Sequence, residues 1–174
     1  MQPKAPYATE FIDHPGTDLR VWLWQTWQHK VSGILIWETV YWSSPTIYGD
    51  KLQNPYEDAA SWSDMGTGPK TFRYNWGNGD GRFFYPPRKC FDPERKEPVL
   101  DAPNGTMRLE ILRDGIEDYE YFAILSRLDP ENAFLKVPVD VSKTLMNFTV
   151  RPEPIKVHRR KLAKEIERLG ELNK

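Results

Sequence analysis

The chain has 174 residues, 39% hydrophobic and 28% charged, which is enough apolar material for a core and unlike a disordered segment. A net charge of −1 with a pI near 6.3 gives no general attraction to nucleic acid or to an anionic membrane. The single cysteine, Cys90, excludes an internal disulfide framework, and no apolar run approaches the ~20 residues that span a bilayer. Seven Trp, eight Tyr and eight Phe are the unusual feature. Because the indole N–H needs a partner when buried, such an excess points to a surface that stacks against something, and the apolar C–H face of a sugar ring is one such partner. The polar, proline-containing start, Met1 to Glu10, lacks a basic-then-apolar leader pattern. One cysteine leaves the compartment open, since many secreted or periplasmic bacterial proteins also lack disulfides.

Residues 17–29 read as a helix: Pro15 and Gly16 punctuate before it, Thr17 suits a cap, and Leu19, Trp22, Leu23, Thr26 and Trp27 share one side. Val31 to Trp37 form a short continuous apolar run, the pattern of a parallel strand buried on both faces, with Gly33 suited to a close backbone approach. From Ser43 to Asn104 the chain is rich in Pro, Gly, Asn and Asp and has no clear period, far beyond ordinary loop length. Trp62, Phe72, Tyr74, Trp76, Phe83, Phe84 and Tyr85 argue against disorder there. Residues 74–81 suggest tight turns, and Arg82 to Tyr85 a short extended piece.

A helix is expected over about 106–127, capped by Thr106, with Leu109, Leu112, Ile116, Tyr119 and Ala123 inward and Glu110, Asp114, Glu117 and Asp118 outward. Another, over about 152–170, carries Ile155, Leu162, Ile166 and Leu169 on one face. Its basic face of Lys156, Arg159, Arg160, Lys161, Lys164 and Arg168 is interrupted by Glu165 and Glu167, so it reads as a solvated face rather than a nucleic-acid stripe. One buried strand cannot satisfy its own edges. Its neighbours are expected either inside the irregular stretch or in sequence outside the chain.

Three segments carry a resemblance. The first runs from Phe11-Ile12-Asp13-His14-Pro15 through Arg20, Trp24 and Trp27 to Gly33-Ile34-Leu35-Ile36-Trp37 and Tyr41-Trp42. The second is Gly79-Asp80-Gly81-Arg82-Phe83-Phe84-Tyr85-Pro86. The third, and most specific, extends from Met107-Arg108-Leu109-Glu110 through Arg113-Asp114-Gly115-Ile116-Glu117-Asp118 to Tyr121. Together they resemble the C-terminal end of the catalytic domain of glycoside hydrolase family 123 and its relatives, also grouped as domain of unknown function family 4091, over roughly residues 6 to 170.

The resemblance implies an α/β fold, the C-terminal portion of a (β/α)8 TIM-like barrel with a long irregular aromatic-rich loop and two to three amphipathic helices. Residues 1–174 would supply about the seventh helix, the eighth strand, a long eighth loop at 43–104, the eighth helix at 106–127 and a terminal helix at 152–170. It further implies a parent that is a retaining, substrate-assisted exo-glycosidase of the β-N-acetylgalactosaminidase kind, acting on N-acetylated amino sugars. In that group an adjacent Asp-Glu pair orients the acetamido group and protonates the leaving oxygen, a departure from the ordinary two-carboxylate scheme. No Asp-Glu dipeptide occurs here; Glu57-Asp58 and Glu117-Asp118 have the reverse order. The expectation is therefore a fragment, inactive alone, whose catalytic pair and remaining barrel lie upstream and whose ligand is an amino-sugar glycan. A non-catalytic carbohydrate-binding module is the alternative. Neither reading involves a metal, a cofactor, nucleic acid or a membrane.

No residue is assigned a catalytic role, and the candidate substrate-binding residues are Trp37, Glu38, Tyr41, Trp42, Asp80 and Arg108. Trp37 and Trp42 suit stacking on a sugar, or packing in an interior; Tyr41 is a hydrogen-bonding neighbour. Glu38 follows the expected strand, where it would bind a hydroxyl, act as an acid, or stand as a surface carboxylate. Asp80, among three glycines, suits a sugar hydroxyl or a turn cap. Arg108 opens the expected helix, placed to pair with a carboxylate or to reach substrate. Glu110, Arg113, Glu117 and Asp118 read as i,i+3 and i,i+4 partners and helix-to-loop contacts. His14, His29 and His158 are too scattered for a metal pair or an acyl-transfer triad.

Overall fold

A computed structural model describes residues 7–49, 51–64 and 74–172. In chain order its elements are helices α1 (Thr17–Gln28) and α2 (Pro45–Tyr48), strands β1 (Trp62–Asp64), β2 (Tyr74–Trp76), β3 (Phe84–Tyr85) and β4 (Asn104–Gly105), helix α3 (Met107–Leu128), strands β5 (Ser142–Thr144) and β6 (Asn147–Phe148), and helix α4 (Glu153–Leu172). The strands pair only as β1–β2, β3–β4 and β5–β6, each antiparallel.

That topology overturns the barrel. Among the described residues there is no parallel pair, and residues 31–37, expected as the last barrel strand, have no strand structure. Leu35 is 80% exposed and Val31 and Trp37 are near half exposed, the opposite of a strand covered on both faces. The physical reason is the one the sequence itself raises. A parallel strand exists only through ladder bonds to neighbours, and no described segment supplies them. The fold is a mixed one of four helices and three two-stranded antiparallel sheets among the described residues. Phe72 and the rest of 65–73, one of the aromatic stretches, lie outside the described residues.

The chain divides into two compact units. One contains Glu10–Asp13 and Leu35–Leu109. Its long aperiodic stretch is held by side chains bonding to backbone rather than by long ladders. Arg82, with no exposure, is the hub: its guanidinium donates to the carbonyls of Tyr41, Ala59 (2.7 Å) and Ala60 (3.0 Å) and to Gln53 Oε1 (2.9 Å). Gln53 in turn donates to the carbonyls of Asp58 (2.8 Å) and Ala60 (2.7 Å) and accepts from the Ser44 amide (2.9 Å). Buried carbonyls left unpaired would cost about 1–3 kcal/mol each, so these two side chains replace the missing sheet.

The other unit contains His14–Ile34 and Glu110–Lys174. Val21 and Trp24 of α1, Phe122 and Leu125 of α3, and Ile155 and Leu162 of α4 meet in its core, joined by Val137 and Val141. Trp24 meets Phe122 edge-on at 4.9 Å, and Trp27 stacks on it at 5.2 Å. The helices lie within two residues of the expected ranges, yet the buried stripe of α3 is Leu112, Gly115, Asp118, Phe122 and Leu125, while Ile116 is 49% exposed. Gly115 belongs there because a Cβ would lie 3.2 Å from Arg20 Cα of α1. Asp118, expected outside, has no exposure. It accepts from Arg20 Nε (2.6 Å), Arg20 Nη2 (2.9 Å) and Trp24 Nε1 (2.8 Å), with Arg159 Nε at 3.3 Å. A buried carboxylate with this many donors is compensated for its loss of water.

Candidate functional site

The first unit gathers aromatic rings around Asp80. Gly79 (φ 76°) and Gly81 (φ 69°) flank it in left-handed backbone conformations that suit glycine. A Cβ on Gly81 would stand 2.7 Å from Cζ2 of Trp37, so this glycine also makes room for the indole. The Asp80 carboxylate accepts the Trp37 Nε1–H at 2.8 Å on Oδ1 and the Trp62 Nε1–H at 2.6 Å on Oδ2. One carboxylate thereby fixes two ring planes. Trp37 and Trp62 sit 5.3 Å apart, tilted by 42°. Tyr41 stacks on Trp62 at 5.4 Å and 24°, and Trp76 lies on from Trp62 at 5.9 Å and 30°. Trp37 keeps 44% of its surface exposed, although its polar atom is already satisfied. A held, half-open indole whose N–H has a partner is left with its apolar face as its contact surface.

Glu10 stands beside Asp80, placed by the Ile12 amide bonding to the Asn78 carbonyl (2.9 Å) and by Asn78 donating to Asp13 (2.8 Å). Its Oε2 is buried without a hydrogen-bond partner. Burial, and then the neighbouring Asp80 carboxylate, push its pKa up to about 8, against the opposing pull of the Gly81 amide and the Arg108 charge. Glu10 therefore holds a proton at neutral pH. Two carboxyl groups share one corner because one of them is neutral.

The structure brings Trp37, Tyr41 and Asp80 together and uses the other expected site residues elsewhere in the same unit. Glu38 folds onto its own turn, accepting from the amides of Thr39 (2.8 Å) and Val40 (3.1 Å), bonds that lower its pKa and keep it ionised. Trp42 donates to the Phe84 carbonyl at 2.9 Å. Arg108 donates to the carbonyls of Glu10 (2.6 Å), Gly79 (2.9 Å) and Arg82, bracing the backbone that carries the two acids. Sequence reasoning missed Trp62, Trp76 and Glu10. The aromatic excess of the irregular stretch signalled the first two; nothing around Glu10 distinguishes it from a surface glutamate.

Among the described residues no group of three or more His, Cys, Asp or Glu side chains is placed to hold a metal ion, and no helix is long and apolar enough to cross a membrane. No protein-family model matches the chain, and no curated protein matches it.

Proposed function

We propose that this protein is glycoside-hydrolase-like and recognises amino-sugar glycans through the Trp37, Tyr41 and Trp62 cluster, contributing binding rather than bond cleavage. The observation that carries the reading is the half-exposed Trp37, its N–H bonded to Asp80 and its plane set against Tyr41 and Trp62. Carbohydrate rings present an apolar face of C–H groups, and a fixed indole buries that face without losing side-chain entropy on binding. The resemblance in sequence supplies the amino-sugar preference.

Cleavage would need an acid within reach of the leaving oxygen. Glu10 is protonated at neutral pH, but its Oε2 is enclosed, and Glu38 is ionised and engaged with its own turn. General acid catalysis contributes about 10²–10⁴ in rate, so aryl N-acetyl-β-hexosaminides should turn over at background only.

Titration of an N-acetylgalactosamine-containing oligosaccharide, followed by calorimetry, tests the reading. Burying about 50–80 Å² of ring surface at ~25 cal/mol per Å² gives about 1–2 kcal/mol, so Trp37→Ala should weaken binding about ten- to thirty-fold. Its thermal midpoint should fall by about 2–6 °C, because buried Asp80 loses one of its two indole donors, and affinity is compared in the folded protein. Unchanged affinity in a folded Trp37→Ala protein would place recognition elsewhere, and steady hydrolysis abolished by Glu10→Gln or Glu38→Gln would show that an acid is in use.

A further inference from the structure

The helical unit contains a cavity of about 780 Å³ that the carbohydrate reading does not use. This lies within the ~300–1,000 Å³ typical of small-molecule sites. Trp27, Tyr119, Leu135 and Val137 give it an apolar side, and Trp27 is held in place by donating to the Leu135 carbonyl at 2.9 Å. Three lysines line the same cavity, Lys30, Lys136 and Lys143, and none of the residues lining it is acidic. Among the described residues no ion pair engages these lysines. The acids beside lining residues in sequence, Glu120, Asp129, Glu131 and Asp140, do not themselves line the cavity.

Lys30 supplies an independent observation. After α1 the chain closes with Lys30 N bonding to Trp27 O (3.1 Å) and Val31 N to Thr26 O (3.0 Å), and Lys30 itself has φ 54°. That arrangement is a helix stop in which glycine is the usual residue. Among the described residues Lys30 is the one non-glycine with a positive φ. A side chain there carries backbone strain that glycine would remove, and strain retained at a cavity edge points to use of the side chain.

We propose that this cavity binds a small amphipathic anion, an alkyl or aryl carboxylate or sulfonate. Its apolar body lies against Trp27, Tyr119, Leu135 and Val137, and its acidic head lies among Lys30, Lys136 and Lys143. Three unpaired ammonium groups beside an apolar surface complement that chemistry and disfavour both a neutral sugar and a cation.

The test titrates 8-anilinonaphthalene-1-sulfonate into the whole chain at pH 7, with decanoate and decanol as competitors. Saturable one-to-one binding is expected, displaced by decanoate and not by decanol. Lys30→Gly preserves the left-handed stop, so the protein should fold at least as well, yet bind about three- to ten-fold more weakly. Combining it with Lys136→Gln and Lys143→Gln should remove saturable binding, while Trp37→Ala should leave binding intact. The absence of saturable binding would overturn the proposal. So would equal affinity in a triple variant with a native thermal transition, or decanol competing as well as decanoate.

Discussion

Replacing Glu10 by glutamine removes an ionisable group whose burial works against folding at neutral pH. The folded pKa is about 8 against an ordinary value of 4.5, so the folded state holds the proton more tightly than the unfolded chain does. Stability linked to this group is complete below the unfolded value, declines as pH rises past 4.5, and is fully lost once the folded value near 8 is passed. Between pH 4.5 and 7 the difference corresponds to about 3 kcal/mol, which partial solvent access around the side chain screens to about 1–2 kcal/mol. Glutamine is neutral at every pH and still offers an N–H towards Asp80. Glu10→Gln should therefore raise the thermal midpoint by about 3–6 °C at pH 7, more at pH 9, and hardly at all at pH 5. Parallel scanning calorimetry of the two proteins at these three pH values isolates the group, because every other titration is common to both. A shift of equal size at pH 5 and pH 9, or a loss at both, would refute the account of Glu10 as a buried acid facing Asp80.

Asp118→Ala leaves Arg20 and the Trp24 N–H without their shared acceptor, and should cost about 3–5 kcal/mol in urea unfolding; a loss below about 1 kcal/mol would mean the network contributes little. Gly81→Ala forces a side chain into a left-handed residue and against Trp37, so it should cost about 1–3 kcal/mol and weaken oligosaccharide binding together with stability. Normal stability with normal binding in that variant would show that the indole is not held by this turn.

The three longer helices were legible because their ends carry local punctuation: Gly16 before α1, Thr106 before α3 and Pro152 before α4. What each helix buries was less legible. On α3 the periodicity of Leu109, Leu112, Ile116 and Tyr119 gives an apolar stripe rotated away from the true one. The true stripe includes a glycine selected for close helix approach and an aspartate selected for three cationic or N–H partners, and neither registers as apolar. The run at 31–37 failed differently. An apolar run of seven residues is compatible with a buried strand, but pairing is a property of neighbours, and the chain's own composition cannot supply it.

The site divides along the same line between local and distant causes. Glycines on both sides of Asp80 are a local signal of close approach, and they drew attention to the residue that organises the cluster. Its bonds to two indoles carry no local signal, because the partners are remote in sequence, 43 residues away for Trp37 and 18 for Trp62. Glu38 shows the converse, since the amides its carboxylate accepts from lie one and two residues further on. Glu10 gave no signal, since a raised carboxyl pKa depends on burial and on a second acid 70 residues further along the chain. Residue type and spacing thus locate the aromatic material of a site. Which polar group faces which is decided by long-range closure.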